Sequence, residues 1–477
     1  MSDKISLPFD IKKEIFLWGP IPGYFLYTSV FTVMNSFYFS KKYSNHRWSR
    51  TVYLFRNCRM LWVNDKADLY AAGLKVFKKY FLSSDSRIKI YTEWKQCVKT
   101  LTLIQNKINK INLEKINNKD LLSLWHDLHD AYLDFWLSGT IPELSNYGSD
   151  KFLEELLVPI IKNSDDLNQA LEVLTAPDKL SFYQREEVDL LKTSDLKKHQ
   201  SRYFWLKNSY SQVISVPISF FSKRKKQIDL KLIDRLRNHF RDIKRHRIVI
   251  QRKYNLSSTI MMVAKAIRAG IVWQDQRKKY IFICLHFQTK MAKEIARRFN
   301  YSFGDLLNCG TWEIDEIIRG KNIKSILSSR RSGFGINFFN DFKFLNNKES
   351  KYFWEIYTKC DIDKNKANHF FGIVASKGRG EIIKGTVKII LDPNKSQNFK
   401  DGEILVTTMT SPEYVFLMKK AAAIITDTGG LTSHAAIVSR EIGIPCIVGS
   451  KIATAILNNG DLVEIDVTKG IVRKLKK

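Results

Sequence analysis

The stretch TDTGGLTSHAAIVSREIGIPCIVG, residues 426–449, decides the fold of the C-terminal part of the chain. The apolar residues before it predict a buried strand that ends at Thr426–Asp427. Gly429 and Gly430 then allow a tight turn whose backbone amides are exposed. The polar and apolar spacing that follows is typical of a helix, so the stretch predicts a strand, a glycine turn and a helix in that order.

The start of this helix carries the residues with the clearest chemistry. Thr432 or Ser433 can cap it, which places His434 in its first turn, exposed to solvent. The unpaired N–H groups and the positive end of the helix dipole lie there, so a phosphoryl group on His434 would meet amides and hydroxyls. His434 is therefore a candidate phosphoryl carrier, with Gly429, Gly430, Thr432 and Ser433 as its candidate phosphate loop, although the capped-helix pattern alone does not favour this role. The alternative is a capped helix with a merely solvent-exposed histidine.

Glycine is much more frequent in the C-terminal region around this stretch than in the rest of the chain. Eleven of the 22 glycines lie in residues 372–477, among short runs typical of strands. Two further segments there, Pro412–Lys420 and Ser433–Ile442, read as helices. The predicted strands are Gly385–Leu391, Ile404–Thr408, Ala421–Thr426, Pro445–Val448, Leu462–Val467 and Ile471–Leu475. Residues 371–477 are therefore predicted to be a separate, compact mixed domain.

This domain resembles the phosphohistidine domain of the phosphoenolpyruvate-utilising enzymes, a family that includes phosphoenolpyruvate synthase, pyruvate phosphate dikinase and rifampicin phosphotransferase. Besides the His434 stretch, the similarity covers GRGEIIKGTVK at Gly378–Lys388, GEILVTTMTSPEYVFLMKKAAAIITD at Gly402–Asp427 and NNGDLVEIDVTKGIV at Asn458–Val472. The resemblance implies a swivelling domain with a β/β/α fold. It also implies that His434 is the phosphorylated residue, which takes its phosphoryl group from a nucleotide site to an acceptor site.

The resemblance further implies Mg²⁺ and ATP, or phosphoenolpyruvate, as cofactor and phosphoryl donors. In the family an ATP-grasp domain binds the nucleotide, but no glycine-rich phosphate loop or GxxxxGK[ST] motif stands in this sequence. A separate ATP-grasp protein is therefore the expected partner, and it would bind most of these ligands. The chain is expected to be a phosphotransferase that is incomplete without this partner.

The preceding 370 residues are predicted to be mostly α-helical, which makes the whole chain α+β. Leu121–Trp136 and Leu230–Lys253 repeat apolar residues at helical spacing. Residues 256–370 are predicted to be a helical region that precedes the carrier domain, and within it Arg268–Phe334 resembles the helical segment that stands there in the family. Residues 1–255 would then bind an acceptor or dock a partner, and Ile141–Asp150 is a candidate pocket loop.

Four residues of this helical region are candidates for an acceptor site: His199, Arg202, Arg185 and Glu186. They stand among aromatic residues in SFYQREEVDLL and KKHQSRYFW. Arginine can hold a phosphate or carboxylate, and a histidine can deprotonate an acceptor hydroxyl. The other interpretation is structural, with Arg–Glu ion pairs and a core histidine, and it is favoured for each residue taken alone.

The net charge, the cysteines and the N-terminal segment limit the class of protein that this chain can be and the compartment where it is expected. The formal charge of +30 would attract polyanions, but no nucleic-acid motif accompanies it, so lysine on solvated faces is the preferred explanation and no nucleic acid is expected. The six cysteines form no CxxC pair, which predicts a reducing compartment and no metal site. Met1–Lys13 is charged and has no cleavage site for a secretory leader, so we expect the cytoplasm.

The uncharged segment Phe16–Phe39 raises the question of a membrane. Gly19, Pro20 and other helix-breaking residues interrupt it, so a buried helix or a substrate-pocket helix is expected and a membrane-spanning helix is not. A phosphocarrier must visit two sites, and the polar DIDKNKAN at residues 361–368 is the expected hinge.

Two other functions stay open, a non-catalytic phosphocarrier or regulatory binding module and a membrane-attached protein. The sequence identifies neither the phosphoryl acceptor nor the oligomeric state of the protein.

Overall fold

The computed structural model describes residues 14–43, 50–338, 342–358, 369–378, 380–393, 396, 398–430 and 433–475. The chain divides into two compact units. The first comprises residues 1–16, 23–59 and 63–351, and the second comprises residues 17–22, 60–62 and 352–477. The proposed boundary at residue 371 thus lies within the second unit, and the predicted hinge 361–368 lies outside the described residues.

Helices dominate the first unit, which confirms the predicted α+β class with a mostly helical N-terminal region. Two π-helical segments, Val30–Met34 and Phe77–Phe81, and a 3₁₀ turn at Leu113–Lys115 interrupt the series. The α-helices of this unit are α1 Phe25–Ser29, α2 Asn35–Lys42, α3 Lys66–Val76, α4 Ser84–Lys110, α5 Asn118–Gly139, α6 Ile141–Leu157, α7 Ser164–Thr175, α8 Phe182–Lys192, α9 Leu196–Tyr203, α10 Ile218–Lys225, α11 Leu232–Lys253, α12 Ser258–Arg298, α13 Phe303–Leu306, α14 Glu313–Ile318 and α15 Lys324–Arg330. Helix α16, Asn347–Thr358, begins in this unit and ends in the second.

The longest helix, α12, has 41 residues and packs against α4, α5, α6, α7 and α8. It begins where the Ser257 side chain accepts a hydrogen bond from Ile260 N, so one of the unpaired N-terminal amides is satisfied. Near its end Glu294 binds both Arg297 and Arg298, and these cations also suit the negative end of the helix dipole. This helix therefore forms the centre of the helical core.

Helices α3 and α6 approach so closely that their contact is built on glycines. A Cβ atom on Gly73 would lie 2.4 Å from Leu144 O, and one on Gly148 would lie 2.2 Å from Leu74 N. Any side chain at either position would meet backbone atoms of the opposite helix. Ile141–Asp150, expected as a pocket loop, is instead the first part of α6, with Pro142 in the first turn, where proline is tolerated.

The sequence did not predict a five-stranded sheet in the order β1-β3-β2-β4-β5. Its strands are β1 Ile15–Pro22, β2 Thr51–Arg56, β3 Arg59–Asp65, β4 Phe334–Phe338 and β5 Phe342–Leu345. The buried helix expected for Phe16–Phe39 is therefore wrong for its first part. Gly19 and Pro20 lie in β1 at the edge of the sheet, where proline removes no ladder bond that the strand needs. Among the described helices, none is long and apolar enough to cross a membrane.

The second unit contains an eight-stranded sheet in the order β6-β13-β12-β8-β9-β10-β11-β7. Its strands are β6 His369–Phe371, β7 Ile373–Ser376, β8 Ile382–Ile389, β9 Ile404–Thr407, β10 Ala423–Thr426, β11 Cys446–Val448, β12 Leu462–Asp466 and β13 Ile471–Lys474. Strands β8 to β11 run parallel. The neighbouring pairs β11–β7, β12–β8, β12–β13 and β13–β6 are antiparallel.

In the part of this unit that the structure describes, three helices accompany the sheet: α17 Val415–Met418, α18 His434–Ile442 and α19 Ala453–Ile456. Apolar side chains of β8, β9, β10, β11 and β12 form one buried core with α19. The six predicted strands are confirmed to within a few residues, and β6 and β7 were missed because each is only three or four residues long. The helix predicted for Pro412–Lys420 is a 3₁₀ turn followed by the short α17.

Candidate active site

Strand β10 leads directly into the loop that carries the candidate residues. Its four residues are all buried, and Asp427 N donates to Thr407 O at 3.1 Å across the parallel pair. Gly429 then has a φ angle of +114°, in the region that favours glycine. A Cβ atom on it would lie 2.9 Å from Ser433 Oγ. The turn at Gly429 therefore requires glycine for its backbone angle and for the space beside the helix cap.

Helix α18 begins with the predicted cap and the predicted histidine. Ser433 is the cap, and its Oγ accepts a hydrogen bond from Ala436 N at 3.4 Å. Ser433 N donates to Gly430 O at 3.0 Å, which fixes the loop against the helix. His434 is the first helical residue and is half-buried, whereas the sequence suggested an exposed side chain. Thr432 lies outside the described residues.

Thr410 is the residue at this site that the sequence analysis missed. Its hydroxyl Oγ1 lies 2.8 Å from His434 Nδ1, and its side chain is only 3% exposed. Thr410 follows β9 and His434 follows β10, two strands that are neighbours in parallel register. The carboxyl ends of parallel strands meet at one edge of a sheet, which brings the two residues together. The hydroxyl-rich TTMTS after β9 is a sequence signal for this edge, but it does not specify the contact with His434. The contact orients the imidazole ring.

Asp427 stands in the same loop but binds a different part of the unit. Its Oδ1 accepts from Thr454 N at 3.0 Å and from Ser450 Oγ at 3.3 Å, and its Oδ2 accepts from Thr454 Oγ1. Burial raises the pKa of this carboxyl group, and the hydrogen bonds from Thr454 and Ser450 partly oppose that rise. Asp427 therefore fixes the loop to the segment before α19.

The structure separates the four candidate acceptor residues into a buried pair and two surface arginines. His199 Nε2 lies 3.0 Å from Glu186 Oε1, and both side chains are buried. Arg224 donates to the second oxygen of Glu186. Arg202 is exposed and pairs with Asp189 at 2.9 Å.

Arg185 is also exposed, and its Nη2 lies 3.5 Å from Leu180 O. The rings of Tyr203 and Phe221 pack against His199 at 4.7 and 4.9 Å between centroids. This packing favours the structural interpretation, in which His199 and Glu186 are a hydrogen-bonded part of the core. The acceptor role of the four residues stays a prediction.

Among the described residues, no group of three or more His, Cys, Asp or Glu side chains is placed to hold a metal ion. The carboxylate nearest to the loop in sequence, Asp427, is already bound by Thr454 and Ser450. The described residues of the loop therefore do not fit a Mg²⁺ site.

The fold and the loop together define a class of domain: a mixed sheet with a half-buried histidine at the start of a helix that follows a parallel strand. Residues 399–470 match the family model described as "PEP-utilising enzyme, mobile domain". Residues 399–470 therefore carry a domain of the kind that this model describes, the mobile domain of phosphoenolpyruvate-utilising enzymes.

Curated relatives match between a fifth and a quarter of the chain. The phosphoenolpyruvate synthase of Pyrococcus furiosus is 55% identical over 103 residues, which are 22% of this chain and 12% of that protein. A probable phosphoenolpyruvate synthase of Staphylothermus marinus is 54% identical over 103 residues, 21% and 12% of the two chains.

"Uncharacterized phosphotransferase YvkC" of Bacillus subtilis is 49% identical over 108 residues, 23% of this chain and 13% of that protein. The matching region thus spans about an eighth of the length of these relatives. Among solved structures, the holo-form of Thermococcus kodakaraensis aconitase X aligns with 23% of this chain and all of its own at 19% identity, with a TM-score of 0.19. A TM-score this low carries no information about the fold.

Proposed function

We propose that this chain is a phosphotransferase component in which His434 accepts a phosphoryl group and passes it to an acceptor bound by the helical unit. One observation carries the proposal. His434 stands first in α18 with its Nδ1 held 2.8 Å from the Thr410 hydroxyl, inside a domain that matches the family's mobile domain. A non-catalytic phosphocarrier would share this loop and differ only in lacking an acceptor site of its own.

The contact with Thr410 selects the nitrogen that reacts. When Nδ1 carries the ring proton and donates it to Thr410 Oγ1, the lone pair is on Nε2. Nε2 then attacks the phosphorus atom of the donor. The Nε2–P bond forms, the P–O bond to the leaving group breaks, and its electron pair stays on the departing oxygen.

The second transfer reverses this chemistry. An acceptor oxygen forms a new P–O bond while the N–P bond breaks, and the electron pair returns to the imidazole. The proton of the acceptor hydroxyl must go to a base or to solvent. Helix α18, with nine residues, directs its positive end and its unpaired amides at a phosphoryl group on His434, and this stabilises the negative charge at every stage.

The donor and the partner that we propose are the ones suggested by the similarity to the family. ATP with Mg²⁺, held by a separate ATP-grasp protein, is the donor that we propose, and phosphoenolpyruvate is the second candidate. A small molecule is the proposed acceptor. Residues 361–368 would let the mobile domain visit both sites, and they lie outside the described residues.

A direct test of the proposal needs no partner. Potassium phosphoramidate donates its phosphoryl group to accessible imidazoles, and all nine histidines of the chain compete for it. We expect mass spectrometry at neutral pH to find the label mainly on His434, and this label should be acid-labile. Labelling spread evenly over the exposed histidines, or absent from His434, would contradict the proposal.

Replacing Thr410 with valine should slow phosphorylation of His434 about tenfold. Valine keeps the shape but loses the hydroxyl that holds Nδ1, and one hydrogen bond of about 1.4 kcal/mol corresponds to that factor. Rates of label incorporation from phosphoramidate, with the melting temperature measured alongside, provide the check. Thr428→Val is the matched control because the Thr428 hydroxyl binds Thr408 O and not the imidazole. An equal loss in both variants would show that Thr410 supports only the loop.

A further inference from the structure

The segment that contains helix α11 concentrates the positive charge of the chain. Residues 222–253, which include the end of α10 and all of α11, hold thirteen lysines and arginines and three aspartates. This composition leaves a net charge of +10 out of the +30 of the whole chain. A short segment thus carries one third of the net charge, so lysine spread evenly over solvated faces does not account for it.

Helix α11 has one face packed on the helical unit and the opposite face in solvent. Leu232 and Ile250 are buried, and the helix packs against α7. Arg247 is also buried, and its guanidinium group donates to Val173 O and Ala176 O at the end of α7. These side chains hold the helix in place, so its opposite face is presented to solvent in a fixed orientation.

Four residues on the solvent side of α11 lie in one row, which we call the α11 ridge. Arg241, Lys244, Ile248 and Arg252 follow one another at spacings of three, four and four residues, so their side chains lie on the same side of the helix. All four side chains are exposed. At a rise of about 1.5 Å per residue, the ridge is about 16 Å long.

The three cations of the α11 ridge have no ion-pair or hydrogen-bond partner among the described residues, whereas neighbouring arginines of the same helix do. Arg237 pairs with Asp234 at 3.1 Å, and Arg245 pairs with Asp242 at 3.6 Å. Like charges three or four residues apart on a helix repel one another. A surface of opposite charge would offset this repulsion, so the ridge is suited to an anionic partner.

Exposed apolar side chains stand among these cations. Ile248 is 50% exposed within the ridge, and the adjacent Val249 is 54% exposed. Leu230, two residues before the helix begins, is 85% exposed, the largest fraction among the large apolar residues of the described chain. Such side chains gain little from the phosphates of a nucleic acid, but they can enter the boundary between lipid headgroups and acyl chains. The aliphatic stems of lysine and arginine can lie along that boundary while their charges stay in water.

We propose that the α11 ridge binds the surface of an anionic lipid bilayer. Peripheral membrane contacts combine a helix that lies along the surface, basic residues that attract anionic headgroups and apolar side chains that enter the interface. The ridge and its neighbours supply all three. The contact involves neither His434 nor phosphoryl transfer, so the inference goes beyond the proposed function and does not rest on it.

The first experiment is co-sedimentation of the full chain with vesicles of phosphatidylcholine alone and with vesicles that also contain phosphatidylglycerol. We expect binding to the anionic vesicles only, and this binding should weaken as ionic strength rises. Each basic residue near an anionic surface raises binding by about fivefold. Arg241→Gln, Lys244→Gln and Arg252→Gln together should therefore weaken it by roughly a hundredfold. His434→Ala should bind these vesicles as the unaltered chain does.

Matched variants separate the α11 ridge from the general charge of the chain. Lys89→Gln, Lys99→Gln and Lys110→Gln together remove the same charge from exposed positions of α4 and should leave most of the binding. Ile248→Ser should weaken binding several-fold, whereas Ile88→Ser, at an exposed position of α4, should not change it. Melting temperatures measured alongside show whether each variant is folded.

The proposal is wrong if neutral vesicles bind the chain as well as anionic ones do, or if the two triple variants lose binding equally. It is also wrong if the chain binds an RNA duplex through the three cations of the ridge and does not bind anionic vesicles, because that result would assign the ridge to nucleic acid. Binding to anionic vesicles that only the ridge variants lose supports it.

Discussion

Replacing His434 with alanine is expected to abolish acid-labile phosphorylation of the mobile domain. No neighbouring side chain can replace the imidazole as a carrier, because the phosphoester of Ser433 is too stable to pass the group on at a useful rate. The change should lower the free energy of unfolding by only about 1 kcal/mol, mainly because the buried Thr410 hydroxyl loses its partner. Label incorporation from phosphoramidate and chemical denaturation curves measure the two effects.

Three variants separate the chemistry from the fold. His434→Asn keeps a side-chain N–H group near Nδ1 and so should retain the contact with Thr410 while losing the nucleophile. Ser433→Ala should keep the nucleophile and lose about 1 kcal/mol of helix capping, with phosphorylation slowed by roughly 10- to 100-fold. His369→Ala removes an exposed histidine of the same unit and should change nothing. Label retained at the original level in His434→Ala would place the phosphoryl group elsewhere.

Replacing Gly148 with alanine is expected to destabilise the helical unit by about 3 kcal/mol. The new Cβ atom would lie 2.2 Å from Leu74 N and 2.6 Å from Leu74 Cα, and these are backbone atoms that cannot move without separating α3 from α6. Overpacking of a rigid contact costs typically 1–3 kcal/mol and occasionally more. Urea denaturation followed by helical circular dichroism gives the change directly.

Gly304→Ala is the matched control for this prediction. The one atom near its added Cβ is Ser302 Oγ at 3.9 Å, so helix propensity should make the change neutral or slightly stabilising. A midpoint for Gly148→Ala equal to that of Gly304→Ala would mean that α3 and α6 are not in the close contact described.

The sequence was sufficient wherever the signal is local. The strand, the glycine turn and the helix around His434 follow one another without a gap, and each has its own residue preference. The contact of His434 with Thr410 could not be predicted in the same way. It joins residues 24 positions apart, and it exists only because β9 and β10 pair in parallel, a choice that no single segment encodes.

The five-stranded sheet escaped prediction for a related reason. Its strands come from residues 15–22, 51–65 and 334–345, and short apolar runs do not distinguish a buried strand from part of a buried helix. The spacing of the α11 ridge is visible in the sequence, but only the structure shows that its cations face solvent. Only the local rules of chain conformation were visible in the sequence, and long-range pairing was not.

The 41-residue helix α12 determines how much of the helical unit must open before its amides exchange with solvent. Five other long helices pack on it, so its central amides can exchange their hydrogens with solvent only when most of the unit opens at once. Within the described part of its unit, the nine-residue α18 makes its main contacts with the three strands β7, β10 and β11. Its first turn can therefore open without the rest of the unit. Amide protection should therefore differ by orders of magnitude between the two helices, with slow exchange in the middle of α12 and fast exchange beside His434.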